Sequence, residues 1–139
     1  MSIQKHILLL AFLLPGLAHA ADGYNAKWTS RDKTQTVSVL VHDRDGNCDT
    51  LKDAALAIGT KDLKPGSSAS SIDAKNLDFC LLFVGDLKSE SCAGGTVDLT
   101  YDAAQNSYRG KYQLSFKNGL KRSGEVRALF CKSRSKKGS

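Results

Sequence analysis

The alternation of apolar and polar residues in the last third of the chain predicts three strands. Residues 95–102, 108–116 and 124–131 each place apolar side chains at every second position. Because side chains alternate between the two faces of a strand, each run predicts a strand with one buried face. Residues 103–107 separate the first pair, and residues 117–120, with Asn118 and Gly119, separate the second. An Asn-Gly pair supplies the positive φ angles of a tight turn, so the sequence predicts an antiparallel meander.

The first half of the mature chain predicts two more strands. Residues 24–30 form a plausible strand that contains Trp28. Residues 35–42 alternate, with valines 37, 39 and 41 on one face and Ser38 and His42 on the outward face. This alternation is typical of a strand with one side in the core.

The middle of the chain changes its pattern. Leu51, Ala54, Ala55 and Ile58 follow the spacing i, i+3, i+4 and i+7, which predicts a short amphipathic helix over residues 49–58. Residues 61–76 contain Pro65-Gly66-Ser67-Ser68 and are interpreted as a loop. Residues 77–87 form the most apolar stretch and predict a strand buried on both sides at the centre of the core.

These elements together predict a single β-rich domain over residues 21–131. The expected fold is mainly β with a minor helical part, an antiparallel β-sandwich or flattened barrel of about six strands with one short helix and two disulfides. Residues 132–139 follow as a basic flexible tail.

Residues 1–20 have the pattern of a secretory signal peptide. Lys5 precedes an apolar run over residues 7–14, Pro15 ends that run, and Ala18-His19-Ala20 offers small residues for cleavage. The run is too short to span a bilayer, which needs about 20 residues. We therefore expect a periplasmic or secreted protein that begins near Ala21 and has no transmembrane segment after cleavage.

Four cysteines, Cys48, Cys80, Cys92 and Cys131, lie in the mature chain. An even number in an oxidising compartment predicts two disulfides. A register with Asp102 beside Tyr108 and Phe116 beside Ser123 separates Cys92 from Cys131 by more than a disulfide can span. If the buried strand turns back at residues 85–90, Cys80 lies level with Leu99 or Thr100 and near Cys131. This favours Cys80–Cys131 with Cys48–Cys92, and Cys48–Cys131 with Cys80–Cys92 stays open.

The net charge of +6 is concentrated at the two ends of the chain. Lys5 leaves with the leader, and four cations follow Cys131, so residues 21–131 hold fifteen basic and fourteen acidic side chains, a net charge of +1. A basic folded face is therefore not predicted, and the tail is interpreted as a solvated terminus. Along residues 108–112 the tyrosines alternate with Arg109 and Lys111, which predicts tyrosines in the core and cations in water. This arrangement of the tyrosines and cations argues against a nucleic-acid partner, and so does the predicted export of the chain.

Two groups of residues have side chains suited to metal binding or catalysis. Oxygen-bearing side chains alternate at Asp43, Asp45, Asn47 and Asp49, as in calcium-binding loops. Cys48 stands where that motif needs glycine and Ala54 where it needs glutamate, so the segment is interpreted as a polar turn, with no metal or cofactor. His42 is the one histidine of the mature chain, and no nucleophile elbow accompanies it with Ser38 or Asp43. No catalytic residue is predicted.

The second hairpin turn is the strongest candidate for a binding site. Its members are Lys117, Asn118, Leu120, Lys121 and Arg122. One apolar anchor among three cations suits an acidic cleft, because leucine fills a pocket while the cations steer the approach. The alternative is a soluble turn in which Leu120 folds back onto the edge of the sheet.

Residues 95–131 resemble the closing strands of small exported bacterial β-sandwich proteins. The resemblance rests on the Gly-Thr-Val start, the Tyr-Arg-Gly-Lys-Tyr centre and the Gly-Glu-Val-Arg-Ala-Leu-Phe-Cys end of this segment. It implies a β fold and a periplasmic location, and it names no substrate.

The functional expectation is a periplasmic protein that binds another protein without catalysis. An inhibitor or immunity protein against a toxic or cell-wall-degrading enzyme with an acidic cleft is the concrete form, because a small rigid domain loses little entropy on docking. Two alternatives come from other classes: a calcium-dependent structural or adhesion module that uses residues 43–49, and a small secreted hydrolase.

Overall fold

The computed structural model describes residues 24–30, 35–43, 48, 54–85 and 88–132, and these ranges contain eight strands. The strands are β1 (Ala26–Ser30), β2 (Val37–His42), β3 (Ala54–Gly59), β4 (Ala69–Asp73), β5 (Phe79–Phe83), β6 (Ser89–Asp102), β7 (Ser107–Phe116) and β8 (Lys121–Phe130). In these ranges the one helical element is a 3-10 turn at Ala74–Asn76. The predicted signal peptide and the tail beyond Lys132 lie outside the described residues, as do most of residues 43–53.

Seven of the strands pair in a closed ring, so the architecture is a barrel. The order is β6, β5, β3, β2, β1, β8, β7 and back to β6, while β4 pairs with a further part of β6. A mainly β fold with two disulfides is confirmed. Of the two expected architectures the sandwich is wrong and the structure is a barrel, with seven strands in the ring and β4 outside it instead of about six. Strand directions cannot alternate around a ring with an odd number of members. One parallel pair is therefore required, and β1 supplies it by running parallel to β8, with Ala26 beside Ala128.

The predicted meander is confirmed in β6, β7 and β8. Tyr101 pairs with Tyr108 across the first turn, and Ser115 pairs with Lys121 across the second. The inward side chains of β7 are buried, while Arg109 and Lys111 are exposed as predicted.

The predicted helix over residues 49–58 is wrong in the part that the structure describes. Residues 54–59 form β3, which lies between β2 and β5. Leu56 and Ile58 point into the core, and Ala55 and Ala57 are also buried. Because this strand is buried on both sides, it shows no polar alternation, and its apolar residues match a helical spacing by chance.

Burial on both sides occurs in β2 and β3 and not in β5, where it was predicted. In β5 the alternate residues Cys80 and Leu82 are buried, whereas Phe83 is 41% exposed. In β2 even the side expected to face water is covered, since Ser38 and His42 are 9% and 3% exposed. The sequence pattern predicts one exposed face for β2 and none for β5, and the structure shows the reverse.

The segment predicted as a loop, residues 61–76, contains β4 and the 3-10 turn. Ser71 interrupts the pairing of β4 with β6 at a φ of 52°, and its N–H donates to Asp98 Oδ1 at 2.6 Å. Asp73 caps the 3-10 turn by accepting from the Lys75 N–H at 2.9 Å. Side chains therefore supply part of the order in a segment whose composition favours turns.

The disulfides are Cys48–Cys131 and Cys80–Cys92, so the favoured pairing is wrong and the alternative is confirmed. The register explains the error. Leu81 lies opposite Ser91, which brings Cys80 within 5.5 Å of Cys92 between Cα atoms. The assumed pairing of Phe116 with Ser123 is also wrong, because Phe116 bonds to Leu120 and the tight turn begins there.

Four aromatic rings pack together at the barrel end where β6 turns into β7. Trp28 lies 4.9 Å from Tyr108 and 4.7 Å from Phe130 between ring centroids, and Tyr101 lies 5.2 Å from Tyr108. The fully buried Tyr108 also binds the segment after β3. Its hydroxyl donates to the Ser67 carbonyl at 2.8 Å and accepts from the Gly66 N–H at 2.9 Å.

We expect Tyr108→Phe to lower the free energy of unfolding by about 1.5 kcal/mol, because both hydrogen bonds are lost from a buried position. Burial raises the pKa of the Tyr108 hydroxyl and outweighs the Gly66 hydrogen bond, which lowers it. The stabilisation is therefore present below pH about 10 and is lost as the pH rises through the raised value. Denaturant unfolding of the wild type and the variant at pH 8 measures the loss of stability, and the same comparison at pH 11 measures its dependence on pH. A variant as stable as the wild type at pH 8 would contradict the hydrogen-bonded role.

No helix in the described part of the chain is both long enough and apolar enough to cross a bilayer.

Candidate functional site

The predicted binding residues lie at one end of the barrel, which we call the turn end. It consists of the described residues beside the β5–β6 turn (Val84, Gly85 and Lys88), the β7–β8 turn (residues 117–120) and Asp43, which follows β2. Strand directions bring these segments together. Since β5 and β7 run toward this end and β6 and β8 run away from it, both turns must lie here.

Hydrogen bonds hold the β7–β8 turn in one conformation. The Gly119 N–H donates to the Phe116 carbonyl at 2.9 Å, and the Phe116 N–H donates to the Leu120 carbonyl at 2.9 Å. Asn118 Oδ1 accepts from the Leu120 N–H at 3.0 Å. Gly119 has a φ of 92°, whereas Asn118 does not have the positive φ that the Asn-Gly pair predicted. The Lys117 N–H donates to the Ser91 carbonyl at 3.0 Å, which ties the turn to β6.

The exposed side chains of this turn combine one apolar group with two cations. Leu120 is 48% exposed, so it does not fold back into the core. Lys117 and Lys121 are exposed on either side of it, and neither forms an ion pair with any residue in the described ranges. Asn118 is exposed as well, but its side-chain oxygen is used within the turn.

Arg122, the fifth predicted residue, is anchored beside the turn instead of free. Its Nη2 donates to Asp43 Oδ1 at 2.7 Å, and its Nε donates to Tyr112 Oη at 3.0 Å. Burial alone would lower the pKa of the guanidinium, but the bonds to Asp43 and Tyr112 outweigh it and hold the pKa above the ordinary arginine value. Arg122 is therefore a fixed positive charge whose orientation is set by two partners 79 and 10 residues away.

Asp43 is the one member of the proposed calcium loop that the structure describes, since residues 45, 47 and 49 lie outside the described ranges. The Asp43 carboxylate is engaged by Arg122, and a metal ion bound there would compete with the guanidinium. Within the described ranges no three metal-ligating side chains cluster.

Ser38 and His42 do not form a catalytic pair. Both side chains are buried in β2. Four residues of extended strand separate their Cα atoms by about 13 Å, far beyond a hydrogen bond between hydroxyl and imidazole.

Two apolar residues at the turn end were missed by the sequence analysis. Phe83 and Val84 are 41% and 38% exposed and lie where β5 enters its turn. The apolar run over residues 77–87 predicts a strand buried on both sides, so no sequence signal marks Phe83 and Val84 as surface residues. With Leu120 they are the large apolar side chains exposed in the described part of the chain, and all three are at this end.

A shallow depression of about 410 Å³ lies on the outer surface next to the β7–β8 turn. Lys121 and Arg122 line it together with the polar residues Gln113, Ser115 and Ser123. It is open to solvent, so it extends the exposed surface of the turn and does not enclose a small molecule.

Comparison with known proteins supplies no relative: no family model, no curated protein and no solved structure matches this chain. The functional inference therefore depends on the chemistry of the turn end.

Proposed function

We propose that this chain is a non-catalytic binding protein that inhibits a toxic or cell-wall-degrading enzyme by inserting the β7–β8 turn into an acidic cleft. The observation that supports this most directly is Leu120, a leucine 48% exposed at the tip of a hydrogen-bonded turn, between the exposed Lys117 and Lys121. The two disulfides are consistent with work in an oxidising compartment such as the periplasm or the cell exterior.

The chemistry of such a cleft matches the chemistry of the turn. Glycoside hydrolases place two carboxyl groups about 5 to 10 Å apart on either side of the bond they cleave. A lysine ammonium between them gains Coulombic energy in a site with little water. Leu120 would occupy an adjacent subsite, where it loses contact with water.

Rigidity of the turn contributes to the expected affinity. Each side chain or loop that must be ordered on binding costs about 0.5 to 1.5 kcal/mol. The turn is already ordered by backbone bonds to Phe116 and Ser91. Arg122, held by Asp43 and Tyr112, adds a positive charge at a fixed place beside the turn. Little further ordering of the backbone is therefore needed.

The test is inhibition of purified cell-wall hydrolases. The oxidised protein is titrated into chicken-type lysozyme and into a panel of bacterial peptidoglycan hydrolases, and the clearing of a cell-wall suspension is followed. We expect stoichiometric inhibition of at least one enzyme that uses a carboxylate pair. Failure to slow any enzyme of the panel would contradict the proposal.

The double variant Leu120→Ser/Lys121→Gln should weaken inhibition about 30-fold, because an apolar anchor and a cation are removed together. Lys111→Gln, which removes an exposed lysine from the middle of β7, is the matched control and should inhibit like the wild type. Thermal melts check that each variant remains folded. An unchanged inhibition constant for the double variant would show that the turn does not enter the cleft.

A further inference from the structure

We propose that the same protein partner also binds Phe83 and Val84 beside the β5–β6 turn, so that the binding surface includes both turns of the turn end. This inference rests on the proposed function and extends it. It assigns the partner a second feature, an apolar area beside its acidic cleft.

The geometry places the two turns side by side on β6. Phe83 pairs with Ser89, and the Val84 N–H donates to the Lys88 carbonyl at 3.1 Å. Ser91, which accepts from the Lys117 N–H, is only two residues farther along β6, or about 7 Å. From β5 to β8 there are three strand spacings, about 14 Å. One partner can therefore touch both turns.

The described residues on both sides of the β5–β6 turn are joined to each other. The Cys80–Cys92 disulfide joins β5 to β6 behind the turn, across a sequence separation of 12 residues. At the tip the Lys88 N–H donates to the Gly85 carbonyl at 3.3 Å. Phe83 and Val84 thus lie on a strand that is joined to β6 by backbone bonds and a disulfide, as a preformed contact requires.

The distribution of exposed apolar side chains favours an interface. Single exposed apolar residues are ordinary on protein surfaces. Here Phe83, Val84 and Leu120 all lie at the turn end, and no other large apolar residue in the described ranges is exposed. Such a concentration is typical of a surface that a partner covers.

The size of a stable interface supports the same conclusion. Specific complexes bury about 800 Å² of each partner, contributed by about 20 residues. The five predicted residues of the β7–β8 turn cannot supply that area. A partner that binds this turn tightly must contact its neighbours, and Phe83 and Val84 are the neighbouring apolar groups that lie in water.

The charge at this end selects an acidic partner. Lys88, Lys117 and Lys121 are exposed, whereas Glu90 is only partly exposed and the Asp43 carboxylate is already paired with Arg122. The described residues of the turn end therefore present net positive charge around apolar side chains. A protein with an acidic cleft and an apolar area about 14 Å away complements both features.

The experiment places a photoreactive benzoylphenylalanine at one position of the full, oxidised chain. The positions are Phe83, Leu120 and, as a control on the outer face of β6, the exposed Thr100. Each protein is irradiated in a cell-envelope extract, and its adducts are identified by mass spectrometry. We expect one and the same protein from Phe83 and from Leu120, lost at high salt, and none from Thr100.

The outcomes separate this inference from the proposed function. A protein adduct at Leu120 without that protein at Phe83 would overturn the two-turn surface and leave the cleft proposal standing. Adducts at Phe83 alone, lipid adducts, or no protein adduct at either position would overturn both.

Affinity measured with the protein identified at Leu120 gives a second readout. Phe83→Ser/Val84→Ser should weaken binding about 10-fold, while Thr100→Ala should leave it unchanged. Melting temperatures confirm that both variants are folded. Wild-type affinity in the Phe83→Ser/Val84→Ser variant would count against the inference.

Discussion

Serine at both Cys48 and Cys131 should lower the free energy of unfolding by about 4.5 kcal/mol. This disulfide joins residues 83 apart in sequence, and the entropy that a cross-link removes from the unfolded chain grows with the length of the loop it closes. The Cys80–Cys92 disulfide closes a loop of only 12 residues, so its removal should cost about 3 kcal/mol. Against a total stability of about 5 to 15 kcal/mol, the first loss removes between about a third and nine-tenths of the free energy of unfolding.

The two double variants, Cys48→Ser/Cys131→Ser and Cys80→Ser/Cys92→Ser, are compared by urea unfolding at one pH. We expect the Cys48→Ser/Cys131→Ser variant to lose more stability, because its disulfide closes the longer loop. A greater loss for the short loop would show that strain or local packing at Cys80 and Cys92 decides the result, and would contradict the entropic argument.

The meander could be predicted because its information is local. In β6, β7 and β8 each strand has one face in the core and one in water, so the alternation is visible in the residues themselves. The turn at residues 117–120 is marked by Asn118 and Gly119. Even there, the expected pairing of Phe116 with Ser123 is wrong, because Phe116 bonds to Leu120. The wrong disulfide pairing has a different origin, the register of β5 on β6, which places Cys80 level with Cys92 and not with Leu99 or Thr100.

Closure of the barrel could not be predicted, because it depends on contacts between distant segments. The parallel pairing of β1 with β8 joins Ala26 to Ala128, and no local pattern marks it. Likewise β3 is a strand because β2 and β5 flank it, although its own residues also fit a helix. Tertiary context decides such ambiguous segments.

The candidate site was partly predictable for the same reason. Leu120 and its neighbouring lysines are marked by a local turn within a polar segment. The bond from Arg122 to Asp43 spans 79 residues, and the exposure of Phe83 depends on β5 having one face outside the barrel. The Arg122–Asp43 bond and the exposure of Phe83 both follow from the closure of the barrel, which the local sequence pattern does not predict.

Gly110→Ala should cost about 3 kcal/mol, because β6 and β7 approach too closely there to admit a methyl group. A Cβ at Gly110 would overlap the Asp98 carbonyl oxygen and lie 2.7 Å from its carbon. The obstacle is backbone, so no side-chain rotation relieves it. β6 cannot simply move away, since β4 holds the same segment from its other edge through the pairing of Ala69 with Leu99.

Gly94→Ala is the matched control on β6. A Cβ there would meet only Ser115 Oγ within 4 Å, at an ordinary distance of 3.5 Å, so we expect a change within about 0.5 kcal/mol. Urea unfolding measures the stability of both variants. Equal stabilities would contradict the close approach of β6 and β7 at Gly110.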